Sequence, residues 1–285
     1  MDLYINCYGA FLTSKKVEKK YLFIETEILE FQKNKIKTIQ KYEKEWKAKY
    51  KGSSSKLIED INLYRKANFI ISKDQVSQSV NEDNLIIQAV SLTEELDTII
   101  NILSKRLREW SSLEMPELAN KIQDNPEFVR KSLKKQESKL GKELSKQDTN
   151  QYHLLATKIL DLFKLKQDNI VYLENLMKDY CNNTLELAGP ALTGKLLKHA
   201  GSLKKLALMP ASKIQLLGAE KALFRHLITG SKSPKHGIVL QHTYVQKAKN
   251  RGKAARVLAD KISIAVKVDY FKGKPIGNKL KRELK

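Results

Sequence analysis

The sequence is poor in what most enzymes and anchored proteins need. Two cysteines stand among 285 residues, Cys7 and Cys181, and neither has a CxxC partner. That argues against a zinc site and leaves reduced, buried thiols of a cytosolic protein as the simple reading. The five histidines, His153, His199, His226, His236 and His242, show no metal-binding spacing. No GxGxxG or Walker-type loop offers a cradle for a nucleotide or a methyl donor. No apolar run approaches the ~20 residues of a membrane-spanning helix, and no signal peptide precedes the first strand-like stretch. No cofactor, no metal and no membrane contact is expected, and an enzyme with its own cofactor finds no support.

Acidic residues are the second scarcity, and it is local. The chain holds 53 Lys and Arg against 32 Asp and Glu, a formal net charge of +21. Residues 185–285 alone hold 22 against 5, a net of +17, which leaves +4 for the other 184 residues. Paired-carboxylate catalysis has little to work with there. A polyanion site is expected in the last third instead.

Taken in order, residues 1–80 read as a small α/β unit. Leu3 to Leu12 is β-rich, and Tyr21–Ile24 is a second short strand candidate. Residues 27–50 favour helix, with Ile28, Phe31, Ile36, Ile39, Tyr42 and Trp46 as apolar positions. Gly52–Ser55 reads as a loop, followed by a helix near 56–66 and a strand at Phe69–Ile71. In residues 81–184, Leu85, Ala89, Leu92, Leu96, Ile99, Leu103, Leu107 and Trp110 recur at spacings of four and three. A second run uses Leu155, Ile159, Leu162, Leu165, Ile170, Leu173, Leu176 and Tyr180. The two runs can pair as an antiparallel hairpin, with polar residues 131–150 at its tip. A two-helix hairpin has one inner face, so a second apolar face would need a partner copy.

The basic third centres on residues 185–230. Gly218 to Arg225 reads as one amphipathic helix, with Leu223, Phe224 and Leu227 toward its own core. Lys221 and Arg225 are four apart and project from one side, toward phosphate or toward plain solvent. Pro210–Ser212 marks a helix start with Ser212 as N-cap, and Lys213 and Gln215 follow in its first turn, where an anion can be met. His199 and His226 could stack on a base or cap a turn. Ile238–His242 is β-like in composition. A cation-dense stretch from Gln246 to Arg256 leads into a helix with Val257, Leu258, Ile262, Ala265 and Val266 inward, and the tail from Lys272 reads as mobile.

The residues GPALTGKLLKHAGSLKKLA, then PASKIQLLGAEKALFRHL, then Ser233–Gly237, then Lys253–Arg256 resemble the Nop domain. The turn Trp110 to Leu118, with its Pro-Glu-Leu, and the break at Asp124–Pro126 are also similar to that family. Nop domains occur in the scaffold protein of box C/D ribonucleoproteins and in a spliceosomal pre-mRNA-processing relative. The short basic chain resembles the archaeal box C/D member best, because it lacks the long lysine/acid tail of the eukaryotic nucleolar forms. The resemblance implies a mainly α chain: a small α/β domain at 1–80 docking a fibrillarin-type methyltransferase, a long antiparallel coiled-coil hairpin at 81–184 for self-association, and an all-α Nop domain at 185–285. It implies that Lys213, Lys221 and Arg225 meet the backbone of a box C/D guide RNA. Gln215 and Glu220 would make polar contacts shared with a ribosomal-type kink-turn-binding protein. Lys198, His199, Arg251, Lys253 and Arg256 complete the expected RNA-binding set. Ile238–His242 would be a short packed connector. The implied work is RNA-guided 2′-O-ribose methylation performed by another subunit, in the archaeal cytoplasm or, in a eukaryote, the nucleolus. The alternatives are a spliceosomal-type Nop protein and a generic basic helical coat for nucleic acid.

Overall fold

A computed structural model describes residues 2–13, 17–53, 61–134 and 140–284. The chain divides into two compact units, Met1–Asn81 and Glu82–Lys285. The second contains both the hairpin segment and the basic third. Helices dominate throughout, and strands occur only in the first unit among the described residues.

The first unit carries a four-stranded sheet in the order β3-β2-β1-β4. The β-rich opening is a hairpin rather than one strand, β1 (Asp2–Asn6) and β2 (Gly9–Thr13) running antiparallel. Asn6 makes the turn, since its Oδ1 accepts the N–H groups of Tyr8 (3.2 Å) and Gly9 (3.1 Å). β3 (Val17–Leu22) takes in Tyr21 and Leu22 of the expected second strand, and Phe23 and Ile24 lie beyond it. Asn34 splits the helical stretch into α1 (Glu25–Lys33) and α2 (Lys35–Trp46), capping α2 through Lys37 N. Ile28, Phe31, Tyr42 and Trp46 are buried as expected, whereas Ile36 is exposed on the outer face of α2. β4 (Lys49–Gly52), parallel to β1, was hidden in a lysine-rich segment.

The strand expected at Phe69–Ile71 is part of α3 (Ile61–Ser79). Only Ala67 and Ile71, four apart, are buried from it, and Phe69 faces outward, a helical rather than an alternating pattern. Residues 54–60, with half of the expected loop and the start of the expected helix, lie outside the described residues.

The second unit is built on α4 (Glu82–Ser111) and α7 (Lys146–Tyr180), which pack along each other antiparallel. Asn169 Nδ2 donates to Ala89 O (2.7 Å) and Thr93 Oγ1 (2.8 Å), and Lys166 pairs with Asp97. The inner line of α4 keeps Ala89, Leu96 and Leu107 of the expected one and departs from it at the other turns. Ile86, Ala89, Val90, Leu96, Ile100, Ser104 and Leu107 are buried, while Leu85, Leu92 and Ile99 are exposed. On α7, Ile159 and Leu173 are buried as expected, Tyr152, Ala156 and Met177 join them, and Leu165 is exposed.

The tip is more than a polar loop. α5 (Pro116–Lys121) and α6 (Asn125–Ser132) fold back with their own core of Met115, Leu118, Ile122, Phe128 and Val129 against Tyr152, Ala156 and Ile159. Arg108 holds it together. Its guanidinium donates to Ala119 O (3.2 Å), Ile122 O (2.5 Å), Gln123 O (2.9 Å) and Asn125 Oδ1 (3.0 Å), and lies 4.1 Å from the Phe128 ring. A lysine ammonium sets its three donors on a single atom and cannot span four separated acceptors. Arg108→Lys is expected to destabilise the tip by about 1–2 kcal/mol, since part-buried carbonyls lose charged partners. The check is a red-shifted Trp110 fluorescence and fast hydrogen exchange confined to α5 and α6.

α8 (Asn182–Ala200) carries a kink where Gly189 takes φ 75° and Pro190 follows. Thr193 Oγ1 donates across it to Thr184 O (3.2 Å), and His242 Nε2 meets Leu187 O (3.2 Å). Burial pushes the His242 imidazole below its usual range. α13 (Arg251–Tyr270) is the central buried helix, lining its inner side with Ala254, Ala255, Leu258, Ala259, Ile262, Ala265 and Val266; Val257 is only half-buried. The tail expected to be mobile is docked. α14 (Gly277–Arg282) packs on α8, burying Leu280 and Leu284, because Asn183 Oδ1 accepts both Ile276 N (2.7 Å) and Gly277 N (2.9 Å).

Candidate nucleic-acid interface

The end of α8 sets the site. Gly201, at φ 82°, closes that helix, and Ser202 opens α9 (Leu203–Leu208) by accepting Lys205 N (3.1 Å). α10 (Ala211–Leu216) follows with Pro210 as its N-cap, so Ser212 sits inside the helix rather than capping it. The Gly218 turn then leads into α11 (Glu220–Thr229). Gly218 stands at φ 80°, and a Cβ there would lie 2.4 Å from Ile238 Cγ2 and 3.5 Å from His199 Nε2. Only glycine lets these strands of chain approach so closely. Gly237 is similar, since a Cβ would fall 1.9 Å from Leu217 O. Its N–H donates to Gln215 O (2.8 Å), and Ile238 N to Leu217 O (2.8 Å), so the 231–237 loop runs along α10. Ile238–Gln241 is a 3-10 turn with Val239 buried, a packed connector and not a strand. α12 (Thr243–Lys247) leads on to α13.

These elements bring one group of the expected residues onto a common ledge. Lys213 is exposed on α10. Gln215 Nε2 donates to Lys235 O (2.6 Å), and the Lys235 side chain lies against Gly252 at the start of α13. Asn250 caps α13 by accepting Lys253 N (3.0 Å), and Arg251, Lys253 and Arg256 are exposed around that first turn and a half. Among the described residues none of Lys213, Lys235, Arg251, Lys253 and Arg256 has an ion pair. Cations around the positive end of a 20-residue helix form an anion-attracting surface.

A second group gathers at the Gly218 turn. The Glu220 carboxylate accepts Gly218 N (2.8 Å) and stands 3.9 Å from His199 Nδ1. Burial alone would raise its pKa, but the N–H groups of Gly218 and Glu220 and the nearby His199 leave it lowered. Lys221 and Arg225 are exposed along α11 and unpaired among the described residues.

One expectation fails here, and one expected residue stands apart from the rest. Leu223 and Phe224 are not core: α11 buries nothing, and Phe224 (61%), Leu227 (68%) and Ile228 (81%) are exposed. Lys198 is not on the ledge. Its Nζ is 2.7 Å from Glu94 of α4, where Lys195 also approaches at 3.6 Å, and its hydrogen bond and charge hold the Glu94 carboxyl low. The sequence reading passed over Lys235, although its loop lies between two basic helices in the chain.

Four of the five acids in residues 185–285 are already engaged, Glu186 with Asn182, Glu220 with Gly218, Asp269 with the start of α8 and Glu283 with Lys261. The cations of the ledge are therefore uncompensated. Among the described residues no cluster of His, Cys, Asp and Glu is arranged for a metal, and no helix is long and apolar enough to cross a membrane.

The Nop family model, described as a snoRNA binding domain with fibrillarin, matches residues 92–139 and 129–285, which takes in the hairpin and the whole ledge. The chain belongs to the Nop family. This Nop-family chain is 39% identical over 222 residues to an uncharacterised NOP5 family protein of Methanocaldococcus jannaschii, covering 68% of the chain and 54% of that protein. It is 34% identical over 249 residues to nucleolar protein 56 of Homo sapiens, with 75% and 42% covered. With nucleolar protein 58 of Schizosaccharomyces pombe it shares 36% over 224 residues, with 69% and 44% covered. It thus spans about half the length, or less, of the curated relatives it matches. Among solved structures it is similar to a fibrillarin/Nop5p complex, at 25% identity and a TM-score of 0.46, over 99% of this chain and 98% of that one.

Proposed function

We propose that this Nop-family chain is a non-catalytic RNA-binding scaffold of a box C/D ribonucleoprotein. The observation that carries the reading is the ledge: Lys213, Lys235, Arg251, Lys253 and Arg256 beside Lys221 and Arg225, all exposed, in a region of net +17. Such cations bind phosphates and position a folded RNA, while shape and unpaired bases supply its recognition. Gln215 and Glu220 act from beneath, the first tying α10 to the Lys235 loop and the second fixing the Gly218 turn.

The RNA is a box C/D guide whose kink-turn already holds a small kink-turn-binding protein. The chain clamps RNA and protein together, and the exposed Phe224, Leu227 and Ile228 suit the protein side. The first unit holds the fibrillarin-type methyltransferase that performs 2′-O-methylation. The hairpin self-associates: Leu85, Leu92 and Ile99 repeat every seven residues with Ile102 after them, all exposed, a second apolar line that α7 leaves open. The place of work is the nucleolus in a eukaryotic cell and the cytoplasm in an archaeon.

Titration onto kink-turn RNA, with and without the kink-turn-binding protein, tests the clamp. Affinity at least tenfold higher for the RNA–protein pair is expected. Equal affinity for both, with a steep salt dependence and no preference for structure, would return the chain to a generic basic coat.

A further inference from the structure

We infer that α11 is an arm that becomes a stable helix only when its ligand is bound, and that Gly218 and Gly230 are the joints on which it is carried. The inference rests on the reading of the ledge as an RNA site and adds a mechanism for how that site is completed. Four observations carry it. α11 is ten residues long and buries none of them. It takes no part in any of the extended helix–helix packing of its unit, although α10, α12 and α13 all do. Glycines in the left-handed region bound it on both sides, Gly218 at φ 80° and Gly230 at φ 67°. What fixes it is confined to its ends: the Glu220 carboxylate on Gly218 N near His199, and a hydrogen bond between His226 Nδ1 and Ser231 O.

Helices below ~12–15 residues are marginal in water even when their sequence favours them, and in proteins most helical stability comes from packing a face. α11 has an exposed apolar face, Phe224, Leu227 and Ile228, and against its own fold it covers only Ala222, Leu223 and His226, each half-buried. Its helix is then near balance with the open chain in the free protein. The same ten residues carry Lys221 and Arg225, two cations with no ion pair among the described residues. The ligand that orders α11 is the RNA held with its kink-turn-binding protein, because Lys221 and Arg225 are exposed cations with no ion pair among the described residues and suit phosphates. Ordering on contact lowers affinity by the cost of folding the arm and makes RNA binding sensitive to helix propensity.

Two measurements on the full chain decide the matter. Hydrogen exchange in the free protein is expected to be fast in residues 220–229 and slow in α13, and the arm is expected to slow when kink-turn RNA with its kink-turn-binding protein is added. Protection of residues 220–229 equal to that of α13 in the free protein would overturn the inference, whether or not RNA binds. So would an unchanged exchange in a sample where RNA binding is measured directly. The second measurement uses Ala222→Gly, which removes no charge and no contact atom of the arm's exposed face. If α11 folds on binding, RNA affinity falls about fivefold, the factor that matches the ~1 kcal/mol helix cost of glycine, and the melting temperature is unmoved. If the melting temperature drops and affinity holds, α11 is a fixed part of the fold. Loss of RNA binding altogether in the wild-type chain would instead strike the parent reading, with the free-state exchange still standing as its own answer.

Discussion

Replacing Lys213, Lys221 and Arg225 together by alanine is expected to reduce RNA affinity on the order of a hundredfold, if each phosphate contact contributes about 1 kcal/mol. It is also expected to flatten the salt dependence, with the slope of log K against log salt smaller in magnitude by about 2–3. All three side chains are exposed, so the melting temperature should hold and the loss can be assigned to contact. Lys198→Ala supplies the contrast. Lys198 lies against Glu94 on α4, in an ion pair more than a third exposed at either end. Such pairs contribute roughly 0–1 kcal/mol, and the substitution should leave the salt slope nearly as it was. A slope that falls equally in both variants would place the RNA across the α4 side of the unit and not on the ledge.

Asp269→Ala should be the most destructive single change in the second unit. Asp269, near the end of α13, accepts Asn183 N (3.0 Å), Asn183 Nδ2 (2.8 Å), Thr184 N (2.9 Å) and Thr184 Oγ1 (2.6 Å). It is the acid at the N-terminus of α8, where free N–H groups and the helix dipole favour negative charge. Its removal strands two N–H groups at 7% and 1% residue exposure, each costing about 1–3 kcal/mol. It also frees the Asn183 side chain that holds α14. A loss of about 4 kcal/mol follows, enough to consume a large part of an ordinary domain's stability. The measurement is urea unfolding followed in α8 and α14, and a change below ~1 kcal/mol would show that α8 is capped by other means. Asp269→Asn should recover part of the loss, since an amide oxygen still accepts but carries no charge.

Much of this was legible in the residues. The long periods of α4 and α7 and the Gly and Pro punctuation around residues 201, 210 and 230 have short-range causes, and each led to a helix or helix boundary in about the right place. What failed had longer-range causes. Periodicity says that a helix has an apolar face, not what covers it, so Leu223 and Phe224 of α11 read as core when Leu223 is only half-buried and Phe224 is exposed. Of the α4 seam at Leu85, Ala89, Leu92, Leu96, Ile99, Leu103, Leu107 and Trp110, Ala89, Leu96 and Leu107 are buried, but Leu85, Leu92 and Ile99 are exposed. α7 covers the adjacent line through Ile86, Val90 and Ile100 instead. Two apolar lines one residue apart cannot be ranked without the partner helix. Phe69–Ile71 has strand composition, but helical burial of Ala67 and Ile71 overrides propensity. Lys272–Pro275 looks like a mobile tail until Asn183, more than ninety residues away, supplies the acceptor for Ile276 and Gly277.

That same Asn183 imposes an order on synthesis. The first turn of α8 is made early, yet its acceptors and its clip sit at residues 269 and 276–277, so the ring closes only when the far side of the region has left the ribosome. Until then the helix that ends at Ala200 lacks its anchor. A nascent chain this basic grows beside ribosomal RNA, the largest polyanion in its surroundings. On the proposed reading of the ledge, late closure would delay a finished RNA grip until the end of the region is made.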